Sequence, residues 1–237
     1  MKIEILYPEL GNLFGDMANI RYLKLCLKDA DFIETPLDGT PAFPDQDIDL
    51  IYMGPMTEHS QERAIRRLAP YREALETHIE RGTHFLFTGN SMELLGKYIK
   101  TDEKELKGLQ LFDMHAVRTM ANRHNSLFLG ETADAPHMTI VGFNSRFSHL
   151  YPSDSLPGFI KVIRGIGLNP QSAFEGIFIN NFIGTYLLGP ILVLNPPFAA
   201  RFLRSLGIDT EPAFFTESLV AYQKRLAEFQ DKKTRLD

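Results

Sequence analysis

The chain has a single cysteine, Cys26, in 237 residues, so no internal disulfide can brace it. It has no apolar run near the roughly 20 residues that a membrane-spanning helix needs. Met1 to Tyr7 alternates like a strand and carries no apolar signal core. A long basic run is also missing: the most basic stretch, Lys224 to Arg235, is interrupted by Glu228 and Asp231 and reads as a solvated helix face. With a net charge of −5, these absences argue against a nucleic-acid groove and against a membrane surface as partner. A cytoplasmic protein is the expectation. The seven histidines, His59, His78, His84, His115, His124, His137 and His149, show no metal spacing such as His-Glu-x-x-His. No metal or cofactor is implied.

What is present is enough apolar residue for a sizeable core. At 44% hydrophobic, the chain is expected to form one α/β domain over residues 1–237. The first half alternates strand and helix. Ile3 to Tyr7 reads as a strand, and Asp16 as the N-cap of a helix running to about Lys28 with Met17, Ile20, Leu23 and Leu27 on one face. Cys26 lies beside that stripe and reads as a small buried core residue. A second strand covers Phe32 to Thr35. Asp49 to Met53 is a strand stopped by Gly54-Pro55. A long helical segment from Glu58 to Arg81 is kinked near Pro70. His84 to Phe87 is an apolar strand ending in Thr88-Gly89-Asn90, with a helix from Met92 to about Tyr98.

Strands joined by helices imply right-handed crossovers and a parallel sheet. The second half has another rhythm. Segments 113–120, 126–131, 138–143 and 159–163 are short, separated by turn signals, and read as antiparallel. Phe174–Asn180 and Phe182–Leu188 form a further strand pair or a strand and a return, and helices at Pro196–Leu206 and Thr216–Phe229 close the chain.

The end of the strand at Phe87 is the chemical focus, because ligands in open α/β sheets bind at the carboxyl ends of strands. The turn Thr88-Gly89-Asn90-Ser91 suits the strained backbone of a nucleophile elbow. From spacing alone an ordinary strand-to-helix turn is the simpler account.

A resemblance adds more. Ser91-Met92-Glu93-Leu94-Leu95-Gly96-Lys97-Tyr98 resembles the segment after the catalytic cysteine of class I glutamine amidotransferases of the cobyric acid synthase type, in particular the small glutaminase subunits of lipid II isoglutaminyl synthases. Their pattern is Cys-Gly-Gly-Tyr-Gln, an apolar residue, Leu and Gly. Anchoring on Leu95-Gly96 puts Gly89 at the cysteine and Glu93 at the glutamine. Leu13 to Ile20 resembles the opening of the family's first helix, with Asp16 and Asn19 at its Asp and Asn. Ile51-Tyr52-Met53-Gly54 matches a strand leading to a glycine of the glutamine and oxyanion site. Gly184-Thr185-Tyr186-Leu187-Leu188-Gly189-Pro190 resembles Gly-Thr-Tyr-Leu-His-Gly-Pro, whose histidine is the catalytic base. The similarity runs from about residue 3 to 220.

The resemblance implies a flavodoxin-like, class I amidotransferase-like fold: a mostly parallel sheet flanked by helices, with an antiparallel extension in the second half. It also exposes departures. Gly89 stands at the nucleophile and Leu188 at the general base, and neither can attack an amide or move a proton. Gly142-Phe143-Asn144-Ser145-Arg146 stands where relatives carry Gly-Phe-Glu-Asn-His.

No catalytic residue is therefore assigned; Gly54, Thr88, Asn90, Ser91, Glu93 and Arg123 are the candidate binding residues. Arg123 falls near an arginine that relatives keep by the glutamine pocket, and a plain surface arginine explains it as well. Glu93 is either a solvent-facing helix residue or a cleft carboxylate that would disfavour an anion and could hold an amine. Asp16 and Asn19 read most simply as a helix cap and its neighbour. The implied function is a catalytically inactive amidotransferase-like binding or partner subunit. Its implied setting is cell-wall precursor or cobyrinate amidation, beside a Mur-ligase-like or other synthetase subunit. Two alternatives stand: an enzyme of altered chemistry using Thr88, Ser91 or Glu93, and a small-molecule sensor.

Overall fold

Apolar strands buried on both faces set the architecture. The computed structural model describes residues 1–235, so Leu236 and Asp237 of the expected 1–237 unit lie outside the described residues. In chain order, β1 (Lys2–Leu6), α1 (Ala18–Cys26), β2 (Asp31–Thr35), β3 (Leu50–Met53), α2 (Glu58–Leu68), α3 (Arg72–Glu80) and β4 (His84–Thr88) form the alternating half. The strands β5 (Tyr98–Lys100), β6 (Glu105–Lys107), β7 (Met114–Arg118), β8 (His124–Thr132), β9 (Thr139–Arg146), β10 (Ser148–Pro152), β11 (Gly158–Arg164), β12 (Phe174–Ile179) and β13 (Phe182–Thr185) follow. Helices α4 (Ile191–Leu194), α5 (Pro196–Ser205) and α6 (Phe215–Gln230) end the described chain.

The main sheet has the order β2-β1-β3-β4-β13-β12-β11-β8-β9. Its first five strands are parallel, and β12, β11, β8 and β9 continue it antiparallel. This is the mixed sheet expected from the change of rhythm along the chain. Every residue of β3 is buried, as are the last four of β4, because helices cover both faces. One apolar layer joins Ile51, Met53, Phe85 and Phe87 to Ala64, Leu68 and Leu75 of α2 and α3. The opposite layer joins Ile3, Ile5, Tyr52 and Leu86 to Ile20 and Leu23 of α1 and Phe198 and Phe202 of α5. Pro70 sits in a single 3-10 turn, Ala69–Tyr71, that separates α2 from α3. The kink expected there follows from proline's missing N–H and its ring.

Two expectations are corrected. Met92 to Tyr98 is not an α-helix. Gly89–Leu95 is a 3-10 turn with six of its seven residues buried, and Tyr98 already belongs to β5. The turn closes at Gly96, whose N–H donates to the Glu93 carbonyl at 3.1 Å, before the chain enters β5. Gly96 marks the exit, since a β-carbon at Gly96 would lie 2.8 Å from the Met114 carbonyl oxygen. The segment at 113–120, expected in the antiparallel extension, lies instead in a second sheet of order β10-β7-β5-β6. There β7 pairs antiparallel with β10 and parallel with β5. Ile99, Met114, Ala116 and Leu150 of that sheet pack into the same apolar layer as Phe85 and Phe87. Among the described residues, no helix is long and apolar enough to cross a membrane.

Candidate functional site

The turn after β4 is where the sheet, α2 and the β13–α4 connection meet. Gly89 has φ +60°, the left-handed region that favours glycine. A β-carbon built on it would lie 2.4 Å from Cβ of Pro55 and 3.3 Å from Cδ2 of Leu188. Real carbon atoms do not approach to 2.4 Å, so the Pro55 ring occupies the place where a side chain at Gly89 would begin. Leu188 is 1% exposed, and its N–H donates to the Phe143 carbonyl at 2.7 Å. Gly89, Pro55 and Leu188 thus converge on one point. Gly54 stands just before it, pressed against Gly11: a β-carbon on Gly54 would sit 2.0 Å from the Gly11 carbonyl oxygen.

The elbow is tied down by side chains. Asn90 Nδ2 donates to the Met56 carbonyl at 2.8 Å, and its Oδ1 accepts from the Met56 N–H at 3.0 Å. Ser91 Oγ donates to the carbonyls of Thr88 and Met53. Gln61 Nε2 donates to the Asn90 carbonyl at 2.7 Å. These bonds hold the turn to the loop between β3 and α2, and they leave the Ser91 hydroxyl buried and occupied.

Beneath the elbow lies Asp16, with no exposure. It accepts from Thr88 Oγ1, from Tyr52 Oη at 2.8 Å and from Asn19 Nδ2 at 3.2 Å. Burial pushes its carboxyl up to about 6. The expected capping role is therefore corrected. The N-cap of α1 is Met17, already in helical conformation and without a side-chain cap bond, while the Asp16 carboxylate turns inward. Thr88 is fully buried and committed to Asp16.

Glu93 is also corrected. It is neither solvent-facing nor in the cleft, being 1% exposed. Its carboxylate accepts from Gln61 Nε2 and Tyr186 Oη, each at 2.9 Å, and pairs with Arg118 at 3.7 Å. Burial is the largest influence on this carboxyl and raises it, while Arg118 pulls it down. Arg118 also donates to Gln61 Oε1. The neighbouring Glu175 accepts from Thr185 Oγ1 at 2.6 Å and from the Tyr186 N–H at 2.7 Å.

Above the elbow is a cavity of about 310 Å³. Of the sequence candidates, Asn90 and Arg123 line it, together with Gly89 and Leu188. Gly54, Thr88, Ser91 and Glu93 support it from behind and are not among its lining residues. Arg123 is exposed, with its guanidinium 4.6 Å from the Phe147 ring centre. Residues missed from sequence are Phe14 and Leu13 on one wall, Met56 and Glu58 at the start of α2, and Arg146. Arg146 carried a visible signal, since it stands at the histidine of the relatives' Gly-Phe-Glu-Asn-His. Cys26 is not among the lining residues. It is half-buried rather than buried, its Sγ accepts from the Ala213 N–H at 3.4 Å, and burial raises its thiol.

The buried carboxyls make a pH prediction. Burial pushes Glu175 up to about 7 from an ordinary 4.5. A folded-state value above the unfolded one means that the folded state holds the proton more tightly. The stabilisation is then complete below about 4.5 and lost as pH rises through about 7, a swing of about 3 kcal/mol. Glu175→Gln should abolish that component. The melting temperature of Glu175→Gln is expected to rise relative to that of wild type from pH 4.5 to 8; a constant difference would contradict the assignment.

Comparison with known proteins places this geometry. Residues 2–195 match the CobB/CobQ-like glutamine amidotransferase domain. The chain is 25% identical to the lipid II isoglutaminyl synthase (glutamine-hydrolyzing) subunit GatD of Streptococcus pneumoniae, covering 100% of this chain and 93% of that one. It is 29% identical to the Staphylococcus aureus subunit of the same name, over 78% of this chain and 75% of that one. Among solved structures, PurLQS from Thermotoga maritima superposes with a TM-score of 0.54 at 13% identity, over 94% and 98% of the two chains. A glutamine amidotransferase from the same organism gives 0.53 at 9% identity, over 94% and 92%; both likenesses concern the fold. A parallel sheet ending in a left-handed elbow, matched in sequence over most of its length, makes this chain a member of the CobB/CobQ-like glutamine amidotransferase family.

Proposed function

We propose that the chain is a non-hydrolytic member of its family, a subunit that binds a small ligand in the cleft and works beside a synthetase-type partner. The observation that carries this reading is the Pro55 ring 2.4 Å from where a β-carbon on Gly89 would lie, with Leu188 packed against the same point. Neither a thiol nor an imidazole is present there, and no room is kept for them. Two curated relatives are named as subunits of lipid II isoglutaminyl synthase, which supports a partner-dependent role in cell-wall precursor amidation; cobyrinate amidation is the alternative setting. Altered chemistry at Thr88, Ser91 or Glu93 is less well supported. All three groups are buried and already hydrogen-bonded away from the cavity. A small-molecule sensor remains compatible with the same cleft.

Purified protein should release no ammonia from L-glutamine above background, because loss of a nucleophile alone costs on the order of 10⁶ in turnover in comparable units. Glutamine turnover that survives Cys26→Ser would require another nucleophile and would overturn the reading. Turnover abolished by Cys26→Ser would overturn it too, by making the half-buried thiol the reacting group.

A further inference from the structure

Arg146 is a buried cation without a counter-ion among the described residues. It is 5% exposed, and its guanidinium lies 4.0 Å from the centre of the Tyr186 ring. Nη2 donates to the carbonyls of Gly167 and Leu168, while Nε and Nη1 have no acceptor. Among the described residues it forms no ion pair. The carboxylates beyond the Tyr186 ring are engaged elsewhere: Glu93 with Arg118, Gln61 and Tyr186, and Glu175 with Thr185 and the Tyr186 backbone. On another side the rings of His124 and His149 lie 4.1 Å apart. Burial and the Arg146 charge hold both below their ordinary range, His149 at about 4. They are neutral at pH 7 and supply no negative charge. An unpaired buried charge is costly, so an anion from outside would gain what the protein withholds.

The cavity borders this arginine. Arg123 stands in the same lining with no ion pair among the described residues. Met56, Thr57 and Glu58 bring the start of α2 to it. Leu13, Phe14, Pro55 and Leu188 supply apolar wall. Among the described residues, Glu58 is the one carboxylate in the lining. Two guanidiniums and one carboxylate leave a net charge of +1, which an amino acid with two carboxylates and one ammonium complements.

We propose that the cleft binds a small amino dicarboxylate, an aspartate- or glutamate-like acid, with one carboxylate towards Arg146, the other towards Arg123 and the ammonium towards Glu58. The assignment rests on the reading of the cleft as a binding site and adds the charge of its ligand. An amide such as glutamine lacks the second carboxylate and leaves one guanidinium unmatched. Arg146, at the position where relatives carry histidine, sets the preference. A volume of about 310 Å³ is at the small end of ligand sites.

The test is calorimetric titration of the full chain with L-glutamate, L-aspartate and L-glutamine at one ionic strength. One of the two acids is expected to bind at least tenfold more tightly than L-glutamine. Arg146→Met should weaken that acid at least tenfold, and Arg146→Lys less. Because Arg146 is buried, folding of its variants is checked by thermal melt. The exposed Arg123→Ala is a second variant, expected to weaken the acid while leaving the melt unchanged. The proposal is overturned if neither acid binds wild type saturably, if L-glutamine binds as tightly, or if a folded Arg146→Met or Arg123→Ala keeps wild-type affinity for the acid. Ammonia release from L-glutamine in the same samples is read separately. Hydrolysis accompanied by acid preference would sink the non-hydrolytic reading alone, and silence without acid binding would sink the ligand assignment alone.

Discussion

Replacing Gly89 with cysteine should destabilise the protein and leave it without glutaminase activity, even when Leu188→His is added. Two separate costs fall on Gly89→Cys. A non-glycine residue at φ +60° carries strain of about 1–3 kcal/mol. Its β-carbon meets the Pro55 ring at 2.4 Å, an overpacking cost of about 1–3 kcal/mol more. The Pro55 loop cannot swing away freely, because the neighbouring Met56 is bonded twice to the Asn90 side chain and Leu13 N–H is bonded to the Pro55 carbonyl. A total near 4 kcal/mol corresponds to a fall in melting temperature of roughly 8–16 °C for a chain of this size.

The two terms separate in a cycle with Pro55→Gly. The overpacking part should vanish in that background and the backbone strain should remain, giving a coupling of about 1–3 kcal/mol. Additivity of Gly89→Cys and Pro55→Gly would mean that Pro55 is not what fills the nucleophile's place. Catalysis is lost for a further reason. Hydrolysis needs N–H donors already aimed at the developing oxyanion, and Pro55 has none to give. Turnover by Gly89→Cys/Leu188→His within tenfold of about 10 s⁻¹ would show an intact oxyanion site and refute this account.

How much of this could be read from residues alone depends on what kind of force places each one. The strands β3 and β4 were legible because short apolar runs ending in Gly-Pro or Gly-Asn have few alternatives, and β1 because its residues alternate. The break at Pro70 was legible because proline lacks the N–H that a helix interior needs. The elbow was legible only through the ordered motifs at Gly89, Gly54 and Leu188, which chain separation hides and β4, β3 and β13 bring together. The second sheet was not seen. Its β5 and β6 are three residues each, too short for a period to register. Asp16 and Glu93 were misplaced for a common reason. An acidic residue near a helix start is ordinarily a cap or a solvated side chain, and only tertiary structure supplies the donors that let it go inside. For Asp16 these are Tyr52, Asn19 and Thr88; for Glu93 they are Gln61, Tyr186 and Arg118. Arg146 belongs with them, since its unpaired burial is a property of the assembled cleft.

The Arg118–Glu93 pair should produce the other large effect. Both side chains are almost fully enclosed, at 3% and 0% exposure, with 3.7 Å between Nη2 and Oε2. Arg118→Met removes one charge and leaves Glu93 buried without a cation, a loss of about 3–5 kcal/mol. Proton uptake by Glu93 offsets part of the loss. Burial already raises this carboxyl above its ordinary 4.5, and Arg118 is the chief group lowering it. Without Arg118 the folded-state value rises further. The stability of Arg118→Met is then retained below about pH 4.5 and lost as pH climbs, so its deficit relative to wild type should be larger at pH 8 than at pH 5. Glu93→Gln, which installs the amide carried by the relatives, strands the arginine instead. Arg118 already bonds the Gln61 side chain, and its Nε has no partner. That variant should also lose stability, without the relief at low pH. Arg118→Met/Glu93→Gln removes both charges, and replacing a buried pair by neutral groups is often close to neutral. The double variant should therefore be more stable than either single one, with a coupling above about 2 kcal/mol. Denaturant unfolding of the four proteins at pH 5 and pH 8 measures it. Additive losses, or a deficit of Arg118→Met independent of pH, would mean that the two charges do not stabilise one another through this contact.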